Sequence, residues 1–108
     1  MDYSELFRAS CFGRLTARNR IVMPAMHLGM SPDGEPAKEE LEFYSRRAKS
    51  GVGTIIVGFC NTWQHRESKL AGVLDFSGDG SVSAMAPLAS AIKDEGALAG
   101  AQLTPVAG

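Results

Sequence analysis

Gly53-Thr54-Ile55-Ile56-Val57-Gly58 is a short, unbroken apolar run with a glycine at each end. A strand with one wet face alternates apolar and polar residues, and this run does not alternate. It reads as a strand covered on both faces, the situation of a parallel sheet packed between layers. Parallel neighbours need crossover connections of about a dozen residues or more, so the flanking sequence has to supply helices.

Upstream, Ala37, Leu41, Tyr44 and Ala48 recur at intervals of four, three and four and predict one apolar helical face beginning near Pro36. Glu39, Glu40 and Glu42 fall in the early turns and Arg46, Arg47 and Lys49 in the last, matching the helix dipole, with Gly51 placed to cap. Before this helix, "HLGMSPDGEP" carries the turn formers Pro32, Asp33 and Gly34. Before that loop, residues 19–23 read as the first strand, ended by Pro24, which cannot donate to a ladder. The strand delivers His27 into the loop. Earlier still, residues 10–18, "SCFGRLTAR", centre on Gly13-Arg14 and suggest a small hairpin.

Downstream, residues 59–80 read as a long irregular connection containing at most short helical turns. Val82, Met85, Leu88, Ala89 and Ile92 then repeat at helical spacing, with Gly96 as the cap. Pro87 fits this helix if it starts near Ser83, because the first N–H groups of a helix have no partner to lose. "ALAGAQL", 97–103, is the third strand of the sheet, after 53–58. The order strand, helix, strand, helix, strand makes two βαβ units sharing a strand. Doubly wound sheets and (β/α)8 barrels both begin this way, and periodicity does not choose between them.

Composition narrows the function. The chain has 108 residues, enough for one domain, with 44% hydrophobic and 21% charged residues and a net charge of −1. That balance gives no electrostatic reason to bind nucleic acid or an anionic membrane. No apolar run approaches the ~20 residues of a membrane span, and the acidic start "MDYSELFRAS" lacks the form of a signal peptide, so a cytoplasmic protein is expected. The two cysteines, Cys11 and Cys60, are too few for a disulfide framework.

Several motifs have a plain reading. The glycines of "GVGTIIVG" precede their strand, whereas a dinucleotide fingerprint places them after it. "SGDGSVS" precedes the second helix but lacks the length and lysine of a P-loop, and reads as a turn. Cys60, His65 and His27 lack the paired spacing and fourth ligand of a zinc site, so no metal is expected. Arg14, Arg18 and Arg20 have no interleaved aromatics and read as a solvated turn. Trp63 and Phe76 read as packing residues. Gln102, at the end of a strand of small residues, is either a solvated terminus or a buried amide in need of partners.

Three segments, "SELFRASCFGRLTARNRIVMPAMHLGM", "EFYSRRAKSGVGTIIVG" and "IKDEGALAGAQL", together resemble the amino-terminal part of the old yellow enzyme, or NADH:flavin oxidoreductase, family. The nearest resemblance is to its 2,4-dienoyl-CoA reductase and trimethylamine dehydrogenase branch. It implies that residues 1–108 form part of an FMN-binding (β/α)8 TIM barrel, about three βα units long, with flavin at the C-terminal ends of the strands. By that resemblance Pro24, Ala25, Met26 and His27 run beside the isoalloxazine ring, with His27 near the N5 and O4 edge. Gly58, Phe59 and Gln102 approach the same flavin, Gln102 through an amide suited to the pyrimidine edge.

The implied activity is hydride transfer from NADH or NADPH through FMN to an electron-poor alkene. The family's His-x-Gly-Arg after Gln-Leu is replaced here by Thr104 to Gly108, and its proton-transfer residues come later than these segments. No catalytic residue is therefore expected within the chain, and the isolated chain is expected to be inactive. A second chain completing the barrel, or self-association through open strand edges, is the expected partner. The alternative function is a non-catalytic barrel remnant serving as an interaction or scaffold module.

Overall fold

The computed structural model describes residues 2–63 and 71–105. A 3-10 turn at Ser4–Phe7 leads into a hairpin of β1 (Ser10–Phe12) and β2 (Leu15–Ala17), paired antiparallel with Ser10 opposite Ala17. Then come β3 (Val22–Met23), α1 (Lys38–Lys49), β4 (Thr54–Asn61), β5 (Leu74–Asp75), α2 (Ser81–Lys93) and β6 (Leu98–Thr104).

β4 is the axis of the sheet. On one edge it pairs parallel with β3, Val22 opposite Thr54, and farther along with β5, Cys60 opposite Leu74. Its other edge pairs parallel with β6 from Thr54–Leu98 to Asn61–Thr104. The register shifts between Val57 and Cys60, where β4 carries one more residue than β6.

The first strand joins the ladder only at Val22 and Met23, because Asn19 is occupied elsewhere. Its Nδ2 donates to the Gly51 carbonyl at 2.6 Å, and its Oδ1 accepts the Ile21 N–H at 3.1 Å. The side chain thus joins the start of β3 to the turn after α1. β4 runs on past Gly58 to Asn61, and β5 lies inside the connection that reads as irregular from sequence. Two residues are too few to show a period, and only pairing with β4 defines them.

The helices cover one face of the sheet. Tyr44 and Ala48 of α1 and Met85, Leu88 and Ile92 of α2 meet Ile55, Val57 and Cys60 of β4 in one core. Two features of α2 depart from the sequence reading. The helix starts at Ser81, so Pro87 lies in its interior. Pro87 lacks the N–H that would have met the Ser83 carbonyl, and both residues are exposed. Val82 is 80% exposed and belongs to the outer face, not to the core. Among the described residues no helix is long and apolar enough to cross a membrane.

Arg18 is not part of a solvated turn. Its Nη1 donates to the Glu95 carbonyl at 2.7 Å, its Nη2 to those of Val52, at 2.9 Å, and Ala48, and its Nε also to Val52, at 3.2 Å. These carbonyls lie at the C-terminal ends of α1 and α2, where backbone acceptors lack intrahelical partners and a cation suits the dipole. One guanidinium thereby ties the hairpin to both helices. Charge-assisted hydrogen bonds contribute about 1.5–3 kcal/mol each at most, and these share one side chain. Arg18→Ala is expected to lose about 2 kcal/mol in urea unfolding, and Arg18→Lys to recover only part of it, since a point charge cannot span three carbonyls.

Candidate functional site

Because β3, β4 and β6 run parallel, their C-terminal ends share one rim of the sheet. The chain leaves β3 through Pro24 and Ala25, and Met26 returns to form an isolated antiparallel bridge with Gly58. Gly58 is buried and tightly enclosed. A Cβ added there would stand 2.9 Å from the Cβ of Gln102, 3.2 Å from that of Ala25 and 3.4 Å from Gln102 Oε1. No side chain fits without displacing one of the two. The absent side chain is what lets Ala25 from the first strand and Gln102 from the last close on β4.

The register shift falls beside this contact and places Phe59 at the rim. Its half-buried ring meets the exposed imidazole of His27, with centroids 5.2 Å apart and planes at 37°. Pro24, Met26 and Gln102 are exposed. Thus Ala25, Met26, His27, Gly58, Phe59 and Gln102 come together in one patch, with Pro24 leading into it. The patch combines a small residue, Ala25, an imidazole, and a carboxamide able to donate and accept at once.

Beneath it lies a buried polar cluster that the sequence reading did not single out. Glu40, read from the sequence only as one of the acidic residues in the early turns of α1, is 3% exposed. Its Oε2 accepts the hydroxyl of Ser31, itself 1% exposed, at 2.5 Å. Burial pushes the Glu40 carboxyl up from its ordinary value, against the Ser31 hydroxyl, the Ala37 backbone N–H and the charge of His27, which favour ionisation. Burial, with Glu40 and Cys60 adding to it, pushes the Tyr44 phenol up to about 12. Burial and then Glu40 push the Cys60 thiol up to about 11. A sequence signal for Glu40 exists in hindsight: it is the third helical residue after Ala37, the position from which a carboxylate reaches back to the cap N–H.

Among the described residues no cluster of three or more His, Cys, Asp or Glu is placed to hold a metal. His65 lies outside the described residues. Trp63 is 40% exposed, whereas Phe76 packs against the core.

Residues 5–108 match the NADH:flavin oxidoreductase / NADH oxidase family. The chain belongs to that family. A metal reductase of Desulforamulus reducens is 40% identical over 100 residues, 93% of this chain and 15% of that protein. An NADH oxidase of Thermoanaerobacter brockii is 32% identical over 111 residues, 95% of this chain and 17% of that protein. The old yellow enzyme homologue of Zymomonas mobilis superposes with a TM-score of 0.78 at 32% identity, covering 92% of this chain and 27% of that one. The chain therefore spans about a sixth of the length of the two curated relatives. Its parallel sheet and two helices are an incomplete portion of the (β/α)8 barrel.

The cluster beneath the site gives a pH dependence. Unfolded, Glu40 ionises around 4.5; folded, it keeps its proton to higher pH. Between those two values the native state binds more protons, so the contribution of Glu40 to stability is full below 4.5 and falls as pH rises through the folded pKa. Glu40→Gln has no proton to lose. Its urea midpoint is expected to rise relative to the parent as pH goes from about 4 to about 8; a difference that shrinks over that range would contradict the assignment.

Proposed function

We propose that this chain supplies one side of an FMN site in a NAD(P)H-oxidising flavoenzyme of the ene-reductase type, in the 2,4-dienoyl-CoA reductase and trimethylamine dehydrogenase branch. The observation that carries the reading is the closure of Ala25 and Gln102 on Gly58 at the C-terminal rim of a parallel sheet, in a chain of the NADH:flavin oxidoreductase family. In barrels of this kind that rim is where cofactors and substrates bind. A cytoplasmic location goes with the same reading.

The residues present suit the cofactor. Ala25 carries so little side chain that a flat ring could approach the backbone there, Gly58 lets Ala25 and Gln102 come together beside it, and Pro24 and Met26 add an apolar border. The Gln102 carboxamide would hold the pyrimidine edge, donating through its nitrogen and accepting through its oxygen. When bound, FMN supplies hydride transfer from NADH or NADPH to an electron-poor alkene. The part of this chain is to orient and to tune: a donor at Gln102 favours negative charge on the ring, and His27, steadied by Phe59, offers an imidazole for the substrate side.

A second reading, a non-catalytic remnant that binds a partner, is favoured by the open edge of the sheet. Among the described residues β6 pairs only with β4. Beside that edge runs an apolar groove of about 190 Å³ lined by Val57, Met85, Leu88, Ile92, Ala99 and Ala101. Unpaired edges next to apolar surface template association with another chain.

Two substitutions in the FMN-loaded protein separate these readings. Gln102→Leu removes a hydrogen bond to a charged group, worth about 1.5–3 kcal/mol, and is expected to lower the flavin potential and slow flavin reduction. His27→Ala is expected to leave FMN bound and to disturb substrate handling. Redox titration and FMN fluorescence read both. An unchanged potential in Gln102→Leu together with lost FMN in His27→Ala would show the roles misassigned. If neither variant affects the flavin while sedimentation shows the chain associating through its edge, the partner-binding reading stands.

A further inference from the structure

His27 sits on a loop that is fixed at two points. At Met26 the loop is bridged to Gly58 of β4. At Ser31 it is bridged to Gly72, with the Ser31 N–H donating to the Gly72 carbonyl at 3.3 Å. Residues 27–30 hang between these anchors. The second anchor is tight: a Cβ on Gly72 would meet the Cα and carbonyl oxygen of Gly29 at 2.9 Å. It is also the place where the buried carboxyl of Glu40 receives the Ser31 hydroxyl at 2.5 Å.

Burying a carboxyl is costly unless it is well partnered. Capping α1 would not require burial, since a carboxyl at the same position can serve the first turn from the surface. What burial adds is a direct hydrogen bond from α1, an element anchored in the core, to the loop that carries His27. We propose that Glu40 is a positioning residue for His27: by holding Ser31, it fixes the 27–31 loop on α1 and keeps the imidazole against Phe59 at the rim. The importance of that placement for flavin chemistry rests on the function proposed above, but the placement itself does not.

The role needs an acceptor of the right length and does not need a charge. Glutamine can therefore replace Glu40, whereas leucine, of similar bulk, cannot. Ser31→Ala removes the same hydrogen bond from the loop side and leaves the Ala37 cap untouched. The two changes act on one interaction, so combining them should add little to either alone.

The test uses the full protein with ring-13C histidine, the His27 signal being assigned by its loss in His27→Gln. Phe59→Ala defines the ring-current displacement that Phe59 imposes on that signal. Ser31→Ala and Glu40→Leu are expected to lose most of this displacement, and Glu40→Gln to keep it. Helix content and unfolding midpoint are recorded alongside, and Ser31→Ala carries the test alone if Glu40→Leu does not fold. A folded Ser31→Ala protein whose His27 signal stays at the parent position overturns the proposal. Displacements that respond as expected in a protein whose flavin potential and reduction rate are unchanged in Gln102→Leu, and whose substrate handling is unchanged in His27→Ala, would leave the clamp standing and overturn the flavin reading.

Discussion

The site depends on a side chain that is absent. At Gly58 the strands β4 and β6 and the segment that follows β3 close on one another, and any Cβ would force Ala25 or Gln102 away. The tight approach occurs where β4 carries its extra residue. A bulge within a strand both bends the backbone and re-aims the next side chain. Here it turns Phe59 toward His27 while Gln102 remains on the rim. Glycine serves a similar end in β6, where Gly100 leaves room for the side chain of Ile56 in β4. A Cβ at Gly100 would stand 2.9 Å from the Cδ1 of Ile56.

Behind the rim the protein has a different character. Tyr44, Cys60 and Ser31 are almost fully enclosed, and Glu40 shares their environment. Each ionisable group of that set is pushed toward its neutral form on the acidic side, chiefly because burial disfavours negative charge. A weakly charged, well-packed layer gives the exposed residues in front of it a rigid support. It also places a low-dielectric wall behind the patch, where the partial charges of an amide or an imidazole act more strongly than in bulk water.

Much of the architecture was legible from local pattern. The spacing of Leu41, Tyr44 and Ala48 and the charge gradient along α1 agree, and the unalternating run at 54–57 lies in the central parallel strand, although the helices cover only one of the two faces that the run implied. What escaped depends on contacts distant in sequence. Arg18 resembles any surface arginine until α1 and α2 present carbonyls to it. Glu40 fits the charge pattern of a solvated helix face, and only the loop folding back to Ser31 reveals it as interior. β5 has no signature of its own because two residues cannot display a period. The rim residues were legible only through family resemblance: Ala25, Gly58 and Gln102 have no shared spacing, and parallel topology alone brings them together.

The exposure of Gln102 bears on how much this patch can do. A hydrogen bond to an amide in water replaces one to solvent and gains little, whereas the same bond in an enclosed, dry site is worth considerably more. The inward side of the sheet, with Gly58 and Gln102, has no second wall among the described residues, and β6 ends in an open edge beside an apolar groove. Chain that paired with β6 and filled the groove would therefore do two things at once. It would cover apolar surface on the helix side, which stabilises the sheet, and where it extended the sheet on the inward side it would shield the amide from water, which on the proposed function would strengthen a hydrogen bond to a bound ring. On the proposed function, the contacts that extended the sheet beyond β6 would thus also set the dielectric in which Gln102 and His27 would act.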